Sequence, residues 1–381
     1  MALFAAAVLF KIEMVTPVFL LAFWTLNSAI IISSRVILRY ALTLMRIRGR
    51  NLRHMLIAGT NLRAVQFARE IEKKTGLGYQ VVGFVDNEWN CKEHPRKDNH
   101  LLITFDNLAD FLRKHVVDEM VICLPMNSFY KQYSQIIALC EVQGIIVRIH
   151  TCIFNAKMPG LKTEQSTFMP VITISPGAME ELPLLIKRVL DIFISSILII
   201  IFSPLFLITF ILVKVTSPGP AFFIQERVGL NKRRFRLYKF RTMVVNAEQK
   251  LQELEHLNEA TGPVFKITED PRLTTVGKFL RKTSIDELPQ LINVLKGDMS
   301  LVGPRPLPVR DYDGFDHDWH RRRFSVRPGI TCLWQVSGRS SLTFEKWMEL
   351  DMEYIDSWSL WLDFKILAKT IPAVLNGSGA R

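Results

Sequence analysis

The sequence predicts a membrane-associated α/β protein with three parts: an N-terminal transmembrane helix, a Rossmann-like parallel α/β domain and a mainly helical C-terminal domain. Residues 14–34 carry no charged side chain. Residues 51–150 alternate between strand and helix patterns, and residues 214–381 show many turn signals but little strand periodicity. The chain has 381 residues, of which 49% are hydrophobic and 22% charged. This composition excludes intrinsic disorder, and the length fits about two to three domains.

The N-terminal region, residues 1–50, is predicted to lie in a membrane. Its uncharged stretch at about 14–34 is 21 residues long, enough for a helix to cross a hydrocarbon core of about 30 Å. Residues 2–10 are apolar but too short to span, so we expect the chain to begin inside a longer, truncated membrane region. The positive-inside rule places the next flank in the cytoplasm, because six arginines follow: Arg35, Arg39, Arg46, Arg48, Arg50 and Arg53.

A second uncharged stretch, residues 192–213, has two features that argue against a simple crossing. Basic residues lie on both sides of it, and a crossing helix would move one of these clusters outside. Lys187 and Arg188 belong to the preceding cluster, and we expect them at the membrane interface. Ser203 and Pro204 fall near the middle of the stretch, where proline kinks a helix. A re-entrant helix and a kinked spanning helix fit this pattern equally well.

Residues 51–150 are predicted to form the Rossmann-like domain, followed by a connector at 151–185. The turn after the first strand contains one glycine, Gly59, where a dinucleotide-binding fingerprint has three. Asp86 follows at the distance typical of a ribose-binding acid. Of the two interpretations, nucleotide binding or a scaffold for regulation or assembly, we favour the scaffold. The predicted strands of the domain are at 54–59, 79–86, 119–124 and 145–149, and the predicted helices are at 62–74, 107–115 and 130–143. The connector has one short predicted strand at about 170–174.

The C-terminal domain, residues 186–381, contains an acidic pair among basic residues. In one interpretation Asp286, or a capping box of Ser284 with Glu287, only caps a helix that has Pro289 in its first turn. In the other, Asp286 stays ionised among cations and acts as a nucleophile toward phosphorus or holds Mg²⁺. Ammonium and guanidinium groups match phosphate oxygens, and the candidates are Lys239, Arg241, Arg281 and Arg305.

The net charge and the C-terminal tryptophans add two further expectations. A formal charge of +12 is typical of proteins that bind nucleic acid, an anionic membrane surface or phosphorylated substrates. Residues 344–368 mix tryptophans with charged residues. A helix in the membrane interface and a helix packed on the protein's own core explain that pattern equally well.

A series of short motifs runs through the C-terminal part of the chain. They are Lys187-Arg188, Asp191, Ser203-Pro204, KFRTM at 239–243, DPR at 270–272, SIDELPQ at 284–290, GPRP at 303–306 and RPGITCLWQVSGR at 327–339. In these residues the chain, from about residue 187 to residue 380, resembles the bacterial sugar transferase family, the monotopic polyprenol-phosphate phosphoglycosyl transferases. The order and number of shared motifs make this resemblance specific. The preceding region resembles the membrane helices and Rossmann-like domain of the large members, which are undecaprenyl-phosphate glucose or galactose phosphotransferases.

This resemblance implies a reaction. Asp286 would attack the β-phosphorus of a UDP-sugar, expected to be UDP-glucose, and release UMP. Undecaprenyl phosphate would then take the phosphosugar from Asp286, which initiates exopolysaccharide, capsule or O-antigen synthesis. Glu287 would assist with metal or proton handling, and Asp286 and Glu287 would hold Mg²⁺. The predicted residues that bind the phosphates of the UDP-sugar are Lys239, Arg241, Arg281 and Arg305.

The resemblance also implies a topology. Ser203 and Pro204 would break a re-entrant helix at about 189–213 within a phosphoglycosyl transferase domain at 186–381. The catalytic domain would then face the cytoplasm at the bacterial inner membrane, with membrane lipid, the UDP-sugar and undecaprenyl phosphate as partners. We expect no nucleic-acid partner, and the sequence leaves a homodimer open.

Two functions of other classes remain as alternatives. A membrane-anchored, NAD-dependent nucleotide-sugar dehydratase or epimerase would need a glycine-rich dinucleotide site and a Tyr-x-x-x-Lys pair. No tyrosine in the sequence has a lysine four residues later. A non-enzymatic regulator of polysaccharide assembly would not need an acidic pair amid so many phosphate-matching cations.

Overall fold

A computed structural model shows an N-terminal helix, a six-stranded sheet domain and a C-terminal domain of helices and small sheets, in that order along the chain. The predicted apolar segment at 2–10 and most of the predicted connector at 151–185 lie outside the part of the chain that it describes. The described residues are 17–89, 91, 100–126, 128–150, 171–175, 177, 181–251, 253–267, 269–338 and 342–375.

The N-terminal helix α1 (Pro17–Ile47) extends beyond the predicted span. It is long and apolar enough to cross a membrane, and its apolar side chains are exposed. The helix continues past residue 34 because residues 35–47 contain no glycine or proline. It ends before Gly49, whose φ of 74° is the left-handed conformation common after helices. Arg46 Nη1 donates to the carbonyl oxygen of Gly76 at 2.9 Å, which attaches the helix end to the sheet domain.

The Rossmann-like domain contains a sheet with the strand order β3-β2-β1-β4-β5-β6. The first five strands are parallel. Four of them were predicted, whereas the short β3 at the edge was not. The sixth strand comes from the predicted connector and pairs antiparallel with β5, so the connector strand belongs to the sheet, which the sequence analysis did not predict. Strand direction depends on the path of the preceding connection, which local periodicity does not encode. The strands are β1 (Arg53–Ala58), β2 (Tyr79–Val85), β3 (Leu101–Ile103), β4 (Glu119–Ile122), β5 (Ile146–His150) and β6 (Val171–Ile174).

Helices cover both faces of this sheet, because successive side chains of a strand point to opposite sides. Met55 and Ile57 of β1 pack with the helix that follows it, whereas Leu56 and Ala58 pack with the two later helices. The predicted doubly wound arrangement is therefore present. The helices are α2 (Leu62–Lys73), α3 (Leu108–Lys114) and α4 (Tyr130–Gln143).

Asp86 has a structural partner in the first turn of this domain. Its Oδ2 accepts hydrogen bonds from the backbone N–H of Thr60 at 3.0 Å and from the Thr60 hydroxyl at 2.8 Å. The side chain of Asn61 caps α2 by accepting from the N–H of Ala64. These bonds occupy the acidic side chain and the helix start that a dinucleotide site uses, and so they favour the scaffold interpretation.

The C-terminal domain begins with two apolar helices joined at a sharp bend. Helix α5 (Glu181–Ile201) and helix α6 (Ser203–Thr216) meet at 62° around Phe202. Pro204 lies in the first turn of α6, where its missing N–H costs no helical hydrogen bond. The bend falls at the predicted break, and the pair is either a broken span or a re-entrant loop by length and composition.

Two small sheets follow, which the sequence analysis did not predict. Strands β7 (Phe222–Val228) and β8 (Arg234–Phe240) form an antiparallel hairpin. The short β10 (Leu307–Pro308) pairs with β7, and β9 (Ser300–Val302) pairs in parallel with β11 (Gly329–Thr331). Basic and apolar residues alternate in β8 (RFRLYKF), a pattern compatible with a strand that has one exposed face.

A buried carboxylate, Asp363, lies where the start of α5 meets the last two helices. Asp363 accepts hydrogen bonds from the Lys187 ammonium, from the Tyr354 hydroxyl at 2.8 Å and from Trp358 Nε1 at 3.2 Å. These bonds tie the start of α5 to the last two helices. The remaining helices are α7 (Thr275–Lys282), α8 (Gln290–Lys296), α9 (Val309–Asp313), α10 (Leu333–Val336), α11 (Phe344–Asp356) and α12 (Leu360–Leu375).

The predicted amphipathic segment at 344–368 divides between these two helices. In α11, Phe344, Met348 and Tyr354 are buried, so this half packs on the protein's own core. In α12, Asp363 and Ile366 are buried and Trp361 is 67% exposed. Both halves therefore pack on the protein's own core, and the membrane-interface interpretation stays a prediction for the exposed side of α12.

Polar contacts join the Rossmann-like domain to the tip of the β7–β8 hairpin. Arg233 forms a two-bond ion pair with Asp118, and Asn231 donates to the same carboxylate at 2.6 Å. The buried Lys232 ammonium donates to the Leu112 carbonyl and to Gln143 Oε1. Because a buried ammonium needs acceptors to offset its lost hydration, this tip is fixed firmly to the domain.

A second buried pair lies inside the C-terminal domain. Arg323 and Asp351 are each 1% exposed and are 2.9 Å apart. Arg323 Nη2 also donates to the carbonyl oxygen of Arg305 at 2.7 Å. Breaking one partner of such a pair leaves an uncompensated buried charge.

We expect Asp351→Asn to lower the free energy of unfolding by about 3–5 kcal/mol, because Arg323 would keep its charge and lose its carboxylate. The measurement is urea denaturation of the detergent-solubilised chain. The matched control is Asp356→Asn on the same helix, since Asp356 pairs with Arg322 but is 54% exposed. That change should cost less than about 1 kcal/mol. Equal losses in the two variants would contradict a structural role for the buried pair.

Candidate active site

Three segments that are far apart in the sequence meet at Glu287. It ends the 3₁₀ turn Ile285–Glu287. Its Oε1 accepts hydrogen bonds from Lys239 Nζ at 2.8 Å and from Arg305 Nη2 at 2.6 Å. Lys239 lies near the end of β8, and Arg305 lies in the loop before β10. The structure thus brings three of the predicted site residues into direct contact.

Asp286 lies beside this cluster and does not cap a helix. Helix α8 starts at Gln290, after Pro289, and no side chain caps its start. Ser284 also makes no capping bond, and Glu287 is committed to two cations. Ser284 adopts a left-handed φ of 57°, a conformation that costs a non-glycine residue energy and often occurs at functional sites. The geometry therefore does not support the helix-cap interpretation.

The Asp286 carboxyl is buried, with 6% of its surface exposed. Burial raises its pKa to about 6, and the charge of Glu287 adds to this effect. Lys239, Arg281 and Arg305 act in the opposite direction. Within the described part of the chain, no group donates a hydrogen bond to its oxygens. Asp286 is therefore an unpaired carboxylate that cations surround without neutralising it.

Glu287 has the opposite electrostatic balance. Burial alone would raise its pKa, but Arg305 and Lys239 outweigh burial and hold the pKa of Glu287 well below its usual range. Its charge in turn raises the pKa of Arg305. Two adjacent carboxyls thus have pKa values pushed apart by their surroundings, an arrangement that recurs where two carboxyls take different catalytic roles.

Buried contacts hold the turn in place from two sides. Ile285 packs with Phe240 and with Phe206 of α6 in one apolar cluster. On the other side, Asn293 of α8 is fully buried, accepts from the N–H of Tyr238 and donates to the carbonyl of Arg236. The strand that carries Lys239 is therefore bonded to the helix that follows Glu287.

Arg281 and Arg241 lie in different surroundings. Arg281 is on α7, its charge acts on Asp286, and its Nε donates to the Thr242 hydroxyl. Gly277 allows this approach, because a Cβ there would lie 1.9 Å from the Thr242 carbonyl oxygen. Arg241 instead donates to the carbonyl and hydroxyl of Ser217, after the end of α6. It is not among the charges that act on Asp286.

The sequence analysis missed Arg227 as a site residue. Its side chain on β7 is buried, donates to the Pro306 carbonyl and interacts electrostatically with Arg305 and Glu287. The GPRP motif at 303–306 was the available signal for such a residue. Prolines have no N–H group, so the carbonyl oxygens of this loop need hydrogen-bond donors from elsewhere in the chain. Only the β7–β10 pairing reveals that Arg227 is that partner.

The residues predicted at the membrane make contacts within the protein. Lys187 donates to Asp363 and to the Val302 carbonyl. Arg188 donates to the last carbonyls of α8. The Ser203 hydroxyl donates to the Ile200 carbonyl at the bend, next to Pro204. The role of Lys187 and Arg188 as interface anchors stays a prediction.

The carboxylate pair has the ligand type that Mg²⁺ prefers, but not a complete protein shell. Among the described residues, no group of three acidic, histidine or cysteine side chains could hold a metal ion. Both Asp286 oxygens and Glu287 Oε2 accept no hydrogen bond from that part of the chain. Mg²⁺ usually binds one or two carboxylates together with water and substrate phosphates. The two side chains therefore fit a Mg²⁺ ion that arrives with a phosphorylated substrate.

Comparison with known proteins gives matches along most of the chain. Residues 182–377 match the bacterial sugar transferase family, and residues 1–150 match a CoA-binding domain family. The chain is 45% identical over 311 residues to the galactosyl transferase CpsE of Streptococcus agalactiae serotype III, covering 80% of this chain and 68% of that protein.

Two further relatives are informative. The chain is 31% identical over 358 residues to the UDP-glucose:undecaprenyl-phosphate glucose-1-phosphate transferase of Klebsiella pneumoniae, covering 92% and 74% of the two chains. It is 44% identical over 206 residues to the undecaprenyl-phosphate galactose phosphotransferase of Salmonella typhimurium, covering 51% and 41%. Since the family match spans slightly more than half of the sequence and includes the Asp286–Glu287 turn, this chain belongs to the bacterial sugar transferase family.

Proposed function

We propose that the chain transfers a sugar 1-phosphate from a UDP-sugar to undecaprenyl phosphate through a covalent intermediate on Asp286. One observation carries this proposal: an unpaired, buried carboxylate lies beside a carboxylate that two cations already neutralise. A nucleophile needs a free anionic oxygen. The surrounding cations match a diphosphate and can stabilise charge as it develops.

In the first half-reaction, a carboxylate oxygen of Asp286 attacks the β-phosphorus of the donor. The bond from this phosphorus to the bridging oxygen breaks, and UMP leaves with the electron pair. The sugar phosphate stays on Asp286 as an acyl phosphate. Lys239, Arg281 and Arg305 bind phosphate oxygens, and Glu287 stays ionised and holds two of these cations in position.

In the second half-reaction, a phosphate oxygen of the lipid attacks the same phosphorus. The acyl phosphate bond breaks, which regenerates the Asp286 carboxylate and gives the undecaprenyl diphosphate sugar. Mg²⁺ held by the free oxygens of Asp286 and Glu287 would supply further neutralisation of phosphate charge. Splitting the transfer into two steps allows a soluble donor and a lipid acceptor to use one site in turn.

The donor is proposed to be a UDP-hexose, in the first place UDP-glucose. The Klebsiella relative, which aligns with 92% of this chain, is named for glucose. The Streptococcus and Salmonella relatives are named for galactose, so UDP-galactose is the second candidate. Release of UMP from a panel of UDP-sugars, with undecaprenyl phosphate present, decides between them. The product would begin exopolysaccharide, capsule or O-antigen synthesis.

The site is proposed to lie at the cytoplasmic face of the bacterial inner membrane. The apolar cluster around Ile285 includes Phe206 of α6, so the bent helix pair and the catalytic turn form one unit. If α5 and α6 enter and leave through one leaflet, the turn lies at the surface where a lipid phosphate and a soluble donor meet. The basic clusters on both sides of the pair support this topology.

Replacing the nucleophile should abolish both products. In Asp286→Asn the side chain keeps its size but loses the anionic oxygen, so UMP release and lipid product should vanish. With UDP-glucose and no lipid, the wild type should give a tryptic peptide of residues 283–296 heavier by a phosphohexose, detected by mass spectrometry. Asp313→Asn, an exposed aspartate of the same domain, should behave as wild type. UMP release by Asp286→Asn, with no trapped adduct in the wild type, would refute the covalent mechanism.

The rate should depend on the ionisation of Asp286. Because burial raises its pKa to about 6, kcat/KM should rise with pH, by about tenfold per unit below that value, and level off above it. The measurement is the initial rate of UMP release across this range. Asp351 has a pKa raised by burial to about 6 as well, so Asp351→Asn is the control. Because that change is expected to destabilise the chain, it is assayed only under conditions where circular dichroism shows the variant folded. The inflection should persist in that variant, and its loss there would assign the titration to Asp351.

The re-entrant topology predicts that both ends of the helix pair face the cytoplasm. Single cysteines at Ser175 and Arg234, which are exposed on either side of the pair, should both react with an impermeant thiol reagent only in inverted membrane vesicles. Cys91 and Cys152 are first replaced by serine. Labelling of the Arg234→Cys variant in right-side-out vesicles would show a spanning pair instead.

A further inference from the structure

A cavity of about 210 Å³ lies between the Rossmann-like domain and the C-terminal domain, away from the Asp286–Glu287 turn. Both domains line it: Asp118 and Gly144 come from the first, and Arg188, Ser300 and Arg327 from the second. Its volume is far above the roughly 15 Å³ that a single water needs. The cavity is therefore large enough for a small ligand.

The charged groups of this cavity leave a positive excess. Asp118 is neutralised by Arg233, and Lys187 is neutralised by Asp363. Three charged lining residues remain: the Asp191 carboxylate, which accepts a hydrogen bond from the N–H of Leu301, and two guanidinium groups. A small ligand at this position would meet more positive than negative charge.

Arg188 and Arg327 are these two guanidiniums. Arg188 donates to the carbonyls of Val294 and Leu295, and Arg327 Nε donates to the carbonyl of Gly297. Neither forms an ion pair with a carboxylate among the described residues. Burial and the neighbouring Arg188 charge lower the pKa of Arg327, with Asp191 acting in the opposite direction. Asp191 offsets only one of the two positive charges, so a further anion beside the guanidiniums would be favourable.

The hydroxyl of Ser300 is a third group that points to a ligand. Ser300 lines the cavity and is fully buried. Its Oγ has no hydrogen-bond partner in the described part of the chain, although buried polar groups are almost always paired. A hydroxyl beside two guanidiniums is a donor set that matches phosphate oxygens.

We propose that this interdomain cavity binds a small phosphate-bearing anion, with Arg188, Arg327 and Ser300 as its donors. The bound anion would lie next to the last turn of α8, because the same two arginines hold the carbonyls there. Helix α8 begins three residues after Glu287. The site is thus separate from the catalytic turn but in contact with the helix that follows it.

Gly177 allows a test in which only a charge is changed. It lines the cavity, and a Cβ there would meet Ile355 Cγ2 at 3.5 Å, an ordinary van der Waals contact. Gly177→Asp adds a negative charge without removing a donor, and Gly177→Asn adds the same bulk without charge. Pyrophosphate is the probe, and its binding to the full chain in detergent is measured by equilibrium dialysis. Gly177→Asp should weaken binding by about tenfold or more, and Gly177→Asn should bind much more tightly than Gly177→Asp.

The catalytic cations also bind phosphate, so Arg305→Gln separates the two sites. Arg305→Gln should keep pyrophosphate binding at the interdomain cavity, which Gly177→Asp removes. The variant with both changes should lose pyrophosphate binding at the cavity and at the candidate active site. Equal affinity in Gly177→Asp and Gly177→Asn would overturn the proposal, as would complete loss of binding in Arg305→Gln alone. Nanodiscs of phosphatidylcholine and of phosphatidylglycerol identify the source of the phosphate. Equal pyrophosphate binding in both kinds of nanodisc supports a soluble anion as the ligand. Displacement of pyrophosphate only in phosphatidylglycerol nanodiscs assigns the site to a lipid headgroup.

Discussion

The ion pairs of Glu287 with Lys239 and Arg305 are the interaction on which the site depends. They join the end of a strand, a 3₁₀ turn and a distant loop at one carboxylate. Because this carboxylate takes up two cations, its neighbour Asp286 remains near positive charge without a partner. Removing Glu287 would therefore do more than delete one acid. It would release two buried cations, and they would pair with Asp286 and quench the nucleophile.

The position of this cluster relative to the bent helix pair follows from packing. The apolar cluster with Phe206, Phe240 and Ile285 combines α6, the end of β8 and the turn that carries Asp286. On α6, Leu207 and Ile208 are exposed apolar side chains. The helix thus supports the Asp286 turn on one side and presents apolar surface on the other, an arrangement that suits the proposed reaction with a lipid phosphate.

Periodicity and turn signals predicted most of the Rossmann-like domain to within two residues of each element, because its strands and helices have strong local patterns. They did not predict β3, the joining of β6 to the sheet or the β7–β8 hairpin. β3 has only three residues, too few for a clear alternation, and the pairing of β6 is set by the path of the chain before it. For the site, motif order predicted the contact among Glu287, Lys239 and Arg305. It did not separate Arg281, which acts on Asp286, from Arg241, which bonds to Ser217, because that difference depends on tertiary packing.

The β7–β8 hairpin connects the Rossmann-like domain to the candidate active site. Its tip, at 231–233, is fixed by Asp118, Gln143 and a backbone carbonyl of that domain. Its other end carries Lys239 and Phe240, one in the ion cluster and the other in the apolar cluster beneath Asp286. Every residue of β8 pairs with a residue of β7. A displacement at the tip of such a hairpin therefore moves the other end more readily than it would through a loop. A movement of the Rossmann-like domain would therefore shift Lys239, which contacts Glu287. This connection gives the domain a physical role in the transferase, although it lacks a complete nucleotide-binding fingerprint.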